Sequence, residues 1–251
     1  MSRGVARKLR GLFVTGTDTN VGKTIVTAAI TAVLRAEGRN VGIWKPVQSG
    51  ALLGSGATDA ERLLQWTGIR ERPGAVSPYT FEAPLAPLLA AQKAGLSLTL
   101  QEVIAAGEPL VRRYESLLIE GAGGVAVPLT ADALVADLIA ELRIPALIVA
   151  RSGLGTINHT LLTVSYLRQL KVPITGIILN DGECGAGKDD PSVASNAEQI
   201  ERYSGIPVLG RFPRLPGGTD REALVNAVCQ KIRIAPIREA IEMQSKEDER
   251  G

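Results

Sequence analysis

Residues 16–24 read GTDTNVGKT and directly follow the apolar run Leu12-Phe13-Val14. Glycine, lysine and threonine in that order, between a strand and a helix, are suited to holding phosphate. The first N–H groups of a helix are unpaired donors, and the helix dipole favours an anion there. Lys23 can reach the β- and γ-phosphates of a nucleotide, and Thr24 can offer its hydroxyl to Mg²⁺. The strict pattern wants a glycine five residues before Gly22, where this chain has Thr17; Gly16 stands one position early. The strand–loop–helix context of the motif is met all the same.

Two variants can be weighed by eye. A second lysine five positions before the loop lysine marks the partition and nitrogenase-iron-protein ATPases, but Asp18 stands there. GTP-binding proteins carry an Asn-Lys-x-Asp element near a later strand end. The nearest candidate is Asn180-Asp181, with no lysine between, so adenine is the better expectation.

Other strand ends carry further chemistry. IWKPVQSG (43–50) puts Lys45 at the end of a short apolar run, with Pro46 to stop the strand and Ser49-Gly50 to turn the chain. A lysine there either points into a ligand crevice or lies along the surface with its head in water. LLIEGAGG (117–124) ends four buried-strand residues on Glu120, with three glycines in the next four positions. An acid opposite a phosphate loop is the usual second contact to Mg²⁺. The glycines let backbone N–H groups come close to an anion. Asp59, in TDAERLL, reads locally as a first-turn acid favoured by the helix dipole. Gly155-Thr156-Ile157-Asn158 opens a helix after a strand and makes a second anion site. His159, the only histidine, receives no catalytic role.

These residues need elements to place them. LFVT (12–15), VGIWK (41–45), LLIE (117–120), ALIVA (146–150), ITGIILN (174–180) and PVLGRF (207–212) read as strands. Their apolar residues are continuous, as when both faces of a sheet are covered. Helical patterns lie between them: residues 23–38, ending at Gly38; 59–68, ending at Gly68; 99–114, opening on the capping-box pair Thr99 and Glu102; 156–170; and 192–205. Pro84 and Pro87 mark a turn into a short helix. Strand–helix alternation predicts an α/β fold: a mostly parallel sheet with helices on both faces, a three-layer sandwich of the P-loop NTPase kind. Ligands in such sheets sit at the carboxyl ends of the strands. No repeat or linker divides residues 1–251. One domain is expected, with a basic lead-in over 1–10, a mobile surface loop over 181–195 and a frayed tail from about 240.

Composition narrows the function. The 251 residues carry a formal net charge of +2, with 45% hydrophobic and 22% charged residues. Neither nucleic acid nor anionic lipid is implied by that balance, and no aromatic–basic platform is present. No signal-peptide core follows the basic start, and no stretch reaches the ~20 apolar residues of a membrane span. Cys184 and Cys229 lie far apart, which argues against a disulfide framework or a zinc site and for a reducing cytoplasm.

Taken together, GTDTNVGKT, WKPVQSG, the aspartate of TDAERL, YTFEAPLAP (79–87), LLIEGAGG, GTINHTLLT (155–163) and the Asn180-Asp181 pair resemble the dethiobiotin synthase family. They stand in that family's order and spacing over about residues 12–215. The early glycine of the phosphate loop is itself that family's form. The resemblance implies an ATP-dependent cyclo-ligase of biotin biosynthesis that uses 7,8-diaminononanoate, CO₂, ATP and Mg²⁺. It implies a carbamate, a carbamic–phosphoric anhydride and ring closure to dethiobiotin. Lys45 and Lys23 match catalytic positions. Asn20, Val21, Gly22, Lys23, Thr24 and Ile25 match the nucleotide loop, with Thr24, Asp59 and Glu120 on Mg²⁺. Gly121, Ala122 and Gly123 would cradle carbamate and phosphate. Asn180 and Asp181 match the adenine-reading segment, and Pro213, Arg214 and Leu215 flank the base. Ser49 and Thr19 match substrate contacts. Thr156, Ile157 and Asn158 would meet the substrate carboxylate across a homodimer interface. The sequence departs from many relatives at Asn20 (often Glu), Leu88 (often His) and Arg214 (often aromatic).

Two other readings stay open at this point. One is a nucleotide switch of the partition-ATPase kind, against which Asp18 and the near-neutral charge both argue. The other is a ligase of the cobyrinic-acid-synthase kind, which needs a glutaminase cysteine that neither Cys184 nor Cys229 supplies.

Overall fold

Every residue of the strand Gly11–Gly16 (β1) is buried, and successive side chains of a strand point to opposite faces. Both faces of the sheet must therefore be covered, as the unbroken apolar runs predict. The computed structural model describes residues 8–182, 190–215 and 220–248. Within them the chain runs β1, α1 (Lys23–Ala36), β2 (Val41–Trp44), β3 (Val47–Ser49), α2 (Asp59–Thr67), α3 (Pro73–Val76) and β4 (Tyr79–Phe81). It continues through α4 (Pro87–Lys93), α5 (Leu100–Ala105), α6 (Glu108–Arg113), β5 (Ser116–Gly124), α7 (Val135–Leu142), β6 (Ala146–Arg151) and α8 (Thr156–Gln169). β7 (Ile174–Asn180), α9 (Val193–Ser204), β8 (Val208–Phe212), α10 (Arg221–Lys231) and α11 (Ala235–Asp248) complete it.

The six apolar runs form one six-stranded sheet in the order β2-β5-β1-β6-β7-β8, with all pairings parallel. β1 lies between β5 and β6: the chain goes first to the edge strand β2, returns through β5 beside β1, and then builds outward on the other side through β6, β7 and β8. That reversal opens the crevice at the carboxyl end of β1, where an α/β sheet binds its ligand. α1 packs against α2 and α10, α8 against α9, and α5 against α7. Fully buried Leu12, Phe13, Ile30, Leu34, Ile43, Leu117, Leu118 and Ile119 belong to the central core. Each such side chain is worth about 1.5–3 kcal/mol relative to exposure.

The structure adds the helices α3, α7 and α10, which the sequence patterns did not mark, and it departs from stated expectations in three places. The stretch after Lys45 does not simply turn. Val47–Ser49 forms a strand that pairs in parallel with Tyr79–Phe81, a small second sheet beside the crevice. The helix expected over 99–114 is two helices. A side chain at Gly107 would stand 2.8 Å from the Trp44 ring, and Pro109, early in α6, has no N–H to donate. The chain breaks there so that Trp44 can be buried. At the other end, α11 runs to Asp248, beyond a tail starting near 240. The Gln244 side chain bonds both the N–H and the C=O of Gly11, each at 2.9 Å, and ties α11 to the start of β1. Of the surface loop expected over 181–195, residues 183–189 lie outside the described residues, and its last residues already belong to α9.

Local signals hold elsewhere. The capping box at Thr99 and Glu102 forms, and a second one, Thr58 with Glu61, opens α2. Gly68 and Gly205 end their helices in the left-handed conformation. Thr58 is buried, and its cap fixes the first turn on which Asp59 stands. Thr58→Ala is expected to lower stability by about 1 kcal/mol, measured by urea denaturation; an unchanged midpoint would show that the box does not hold this turn.

Candidate active site

Four separate segments bring five charged or hydroxyl side chains together at the carboxyl edge of the sheet. Lys23 and Thr24 start α1, Lys45 follows β2, Asp59 starts α2, and Glu120 lies within β5. Their contacts are direct. The Lys45 ammonium has three acceptors: Glu120 Oε1 at 2.7 Å, Asp59 Oδ2 at 2.8 Å and the Gly121 carbonyl at 3.0 Å. These match its three protons. Thr24 Oγ1 lies 3.2 Å from Asp59 Oδ1 and 3.0 Å from Glu120 Oε1. Its single proton serves one carboxylate at a time.

The backbone explains why these groups meet. Lys45 donates its own N–H to Val76 at the end of α3, which seats the residue where β2 stops. Gln48, buried in β3, accepts from the Ala60 N–H at 3.1 Å and donates to Thr80 at 2.8 Å. It thus links the small sheet to the first turn of α2 and fixes the distance from Asp59 to Lys45. Sequence reasoning did not single out Gln48. Its only signal was an amide between two residues of a motif, which says nothing about a partner twelve positions away.

Burial sets the electrostatics. The Glu120 side chain is 1% exposed and the Lys45 side chain 3%, whereas Asp59 is 33% exposed. Burial pushes the Glu120 carboxyl upward in spite of Lys45. The better-hydrated Asp59 is instead held below the usual carboxylate range by Lys45. Burial alone would pull Lys45 down, but Glu120 and Asp59 outweigh it and its ammonium is held on. Lys23 lacks such close acids. Burial, with the charge of Lys45 beside it, lowers its pKa to about 8. Its ammonium rests on the Asp18 carbonyl at 2.9 Å, folded over its own loop.

The remaining predicted residues fall into three groups. Asn20 and Thr19 lie on the exposed arch of the loop, and Val21 is buried at its foot. Gly22 caps α1 with φ +94°, and Ile25 packs beside the core. Gly121, Ala122 and Gly123 continue β5 past Glu120, and a side chain at Gly123 would stand 3.6 Å from Thr19 Oγ1. Asn180 ends β7, in register with Phe212 of β8, so Asp181 and Pro213-Arg214-Leu215 leave neighbouring strand ends. Asp181 is engaged with Arg211 at 2.5 Å, Arg214 is exposed and Leu215 packs against the core.

The third group stands apart. Ser49 spends its hydroxyl on the Leu85 carbonyl at 2.7 Å. Thr156, Ile157 and Asn158 open α8, whose cap Gly155 contributes no side chain. None of the hydrogen bonds described above joins these three to the Lys45 cluster. His159 accepts at Nδ1 from Arg151 at 2.9 Å, since a guanidinium only donates.

Glu120 Oε2 is buried and has no hydrogen-bond partner. An ionised oxygen left bare in the interior is costly unless a cation or donor completes it. With Thr24 and Asp59 alongside, three hard oxygen donors converge, the set that suits Mg²⁺. The residues present therefore fit that ion.

Comparison with known proteins follows the same lines. A family model described as an AAA domain matches residues 10–222. The ATP-dependent dethiobiotin synthetase BioD of Bacillus cereus (strain B4264) is 41% identical over 238 residues, covering 94% of this chain and 97% of that protein. The proteins of the same name from Bacillus thuringiensis (strain Al Hakam) and Bacillus anthracis (strain CDC 684 / NRRL 3495) are 40% identical over the same shares. Among solved structures, chloroplast FtsY from Physcomitrella patens aligns with a TM-score of 0.45 at 16% identity, covering 90% of this chain and 67% of that one.

Two measurements check the electrostatics. Lys45→Met strands Glu120 without its cation and is expected to cost about 3 kcal/mol in urea denaturation. Most of that loss should return when Glu120→Gln is added; independent effects would show that the two are not coupled. With Lys23 near pKa 8, about half of it is neutral at pH 8 and about a tenth at pH 7. A polyphosphate restores its charge, so ATP binding should take up about half a proton at pH 8 and little at pH 7. Calorimetry in buffers of different ionisation enthalpy reads this directly, and no buffer dependence at pH 8 would contradict it.

Proposed function

The chain belongs to the ATP-dependent dethiobiotin synthetase family, and from that premise we propose that it joins CO₂ to 7,8-diaminononanoate at the expense of ATP, giving dethiobiotin, ADP and phosphate. The observation that carries this is the contact of Lys45, two carboxylates and a threonine at the carboxyl edge of the sheet, with Lys23 close by at the start of α1.

The reaction balances as follows. One amine of the substrate attacks CO₂ and loses a proton, leaving a carbamate. A carbamate oxygen attacks the γ-phosphorus, and the bond to ADP breaks. The second amine attacks the activated carbonyl carbon and gives up a proton to the departing phosphate, which leaves as the five-membered urea closes. Phosphoryl transfer asks the protein mainly for position and charge. Lys23 and the N–H groups of residues 20–25 hold the phosphates. Lys45 sits between the loop and the Glu120–Gly123 turn, where it stabilises the carbamate and the migrating phosphoryl group. Thr24, Asp59 and Glu120 would hold Mg²⁺, which when bound neutralises charge on the phosphate oxygens. Asn180, Asp181 and Pro213–Leu215 lie where the base would extend along the strand ends.

The substrate carboxylate is assigned to the start of α8 in a second copy of the chain. Two features support a dimer with that arrangement. Thr156 Oγ1 and Ser152 Oγ at this helix start are buried without partners, while Leu154 in the preceding turn and Leu162 further along α8 are 79% and 62% exposed. No helix among the described residues is long and apolar enough to cross a membrane.

ADP release should require both the diamine and bicarbonate, with a product of dethiobiotin mass. Release indifferent to the diamine would sink the reading. Lys45→Ala, confirmed folded by circular dichroism, should lower turnover on the order of 10²–10³-fold, the usual cost of one lost electrostatic contact in the transition state.

A further inference from the structure

The phosphate loop is pinned at three points and free between them. At its start, the Thr17 N–H donates to the Val149 carbonyl of β6 at 3.0 Å. Across its middle, Lys23 bonds the Asp18 carbonyl at 2.9 Å. At its foot, the Val21 carbonyl accepts from Asn180 Nδ2 at 3.0 Å. Asp18, Thr19 and Asn20 between these points are exposed.

The third tie is the unusual one. Asn180 lies 159 residues along the chain and two strands away in the sheet, yet it is 5% exposed and pressed against the loop. A side chain at Gly22 would collide with Asn180 Nδ2, and a side chain at Gly182 would stand 2.8 Å from the same atom. Gly22 holds φ +94°, the left-handed turn that aims the first N–H groups of α1 into the loop. The backbone of Asn180 is fixed in turn, because its carbonyl accepts from the Ser152 N–H at 3.2 Å. With Nδ2 turned to the loop, Oδ1 faces the other way along the planar amide.

We infer that Asn180 is a positioning residue for the phosphate loop: by bonding the Val21 carbonyl it holds the Gly22 turn in its anion-binding shape, independently of any contact to a base. This rests on the nucleotide reading above and deepens it. A single amide then joins base recognition to phosphate recognition. The consequence is that Asn180 matters to a ligand that has no base.

The test is binding of Mg²⁺-tripolyphosphate, which lacks base and sugar, beside Mg²⁺-ATP, by titration calorimetry. Asn180→Ala removes the amide. Asn180→Asp keeps an acceptor for a base but turns a carboxylate on the Val21 carbonyl. Both should weaken tripolyphosphate about tenfold, the usual effect of one lost hydrogen bond that leaves a buried acceptor bare. Wild-type affinity for tripolyphosphate in either variant would overturn the inference and leave Asn180 to the base alone. Should the variants not fold, the wild-type protein gives a second reading by NMR. One Asn180 side-chain amide proton should be protected from exchange without ligand, and two freely exchanging protons would overturn the inference. Neither experiment depends on the diamine, so a failure of the ligase reading would show separately, as absence of product from a protein that still binds tripolyphosphate.

Discussion

A lysine ammonium buried beside two carboxylates constrains the rest of this structure. Lys45 has almost no access to water, so its charge is tolerable only with Glu120 and Asp59 in contact. Those partners come from β5 and from the start of α2, so the sheet register and the α2 cap must both be right before the charge can be buried. The Trp44–Gly107 contact, the Thr58 box and the Gln48 bridge all serve that placement. The cluster is also unfinished. Two positive and two negative groups balance, but Glu120 Oε2 remains bare. A site balanced in this way has capacity for one more cation and for the anions that arrive with it.

The same crowding divides the labour between the two lysines. Lys45 is held charged by its acids, while Lys23, with only a carbonyl to rest on, loses affinity for its proton. Lys45 therefore presents a fixed charge whatever is bound. In the proposed reading, phosphates bound beside Lys23 would restore its full charge, so its electrostatic pull would be greatest with ligand present. Stability and activity draw on the same atoms here, because the ion pairs that hold β2, α2 and β5 together are those assigned to hold phosphate and carbamate.

The phosphate loop shows how a glycine-rich turn becomes a defined site. Its exposed arch has few contacts of its own, and its shape comes from ties to β6 and β7, on one side of β1. The carboxylate cluster lies on the other side, toward β5 and β2. The loop therefore spans from its ties on β6 and β7 to the carboxylate cluster, at the place where the strand order reverses.

Much of this was determined by sequence. The six strands, the parallel sheet and the ends of α1, α2, α8 and α9 were legible, because apolar runs, capping boxes and terminal glycines act over a few residues. Lys23, Thr24 and Glu120 were legible for the same reason, since each stands beside glycines at a strand or helix end. Asp59 was legible only through the family resemblance, because locally a first-turn acid looks the same with or without a partner across the crevice. Whether Lys45 lay in solvent or in the interior, why the chain breaks at Gly107, that residues 47–49 pair with 79–81, and that Gln48 and Asn180 bond backbone groups on other elements were decided only by the tertiary structure. Each depends on a contact between segments distant in the chain, and burial is what gives those contacts their energy. Spacing along a sequence can mark the residues able to do the chemistry, but the exclusion of water that gives their charges force exists only once the segments have met.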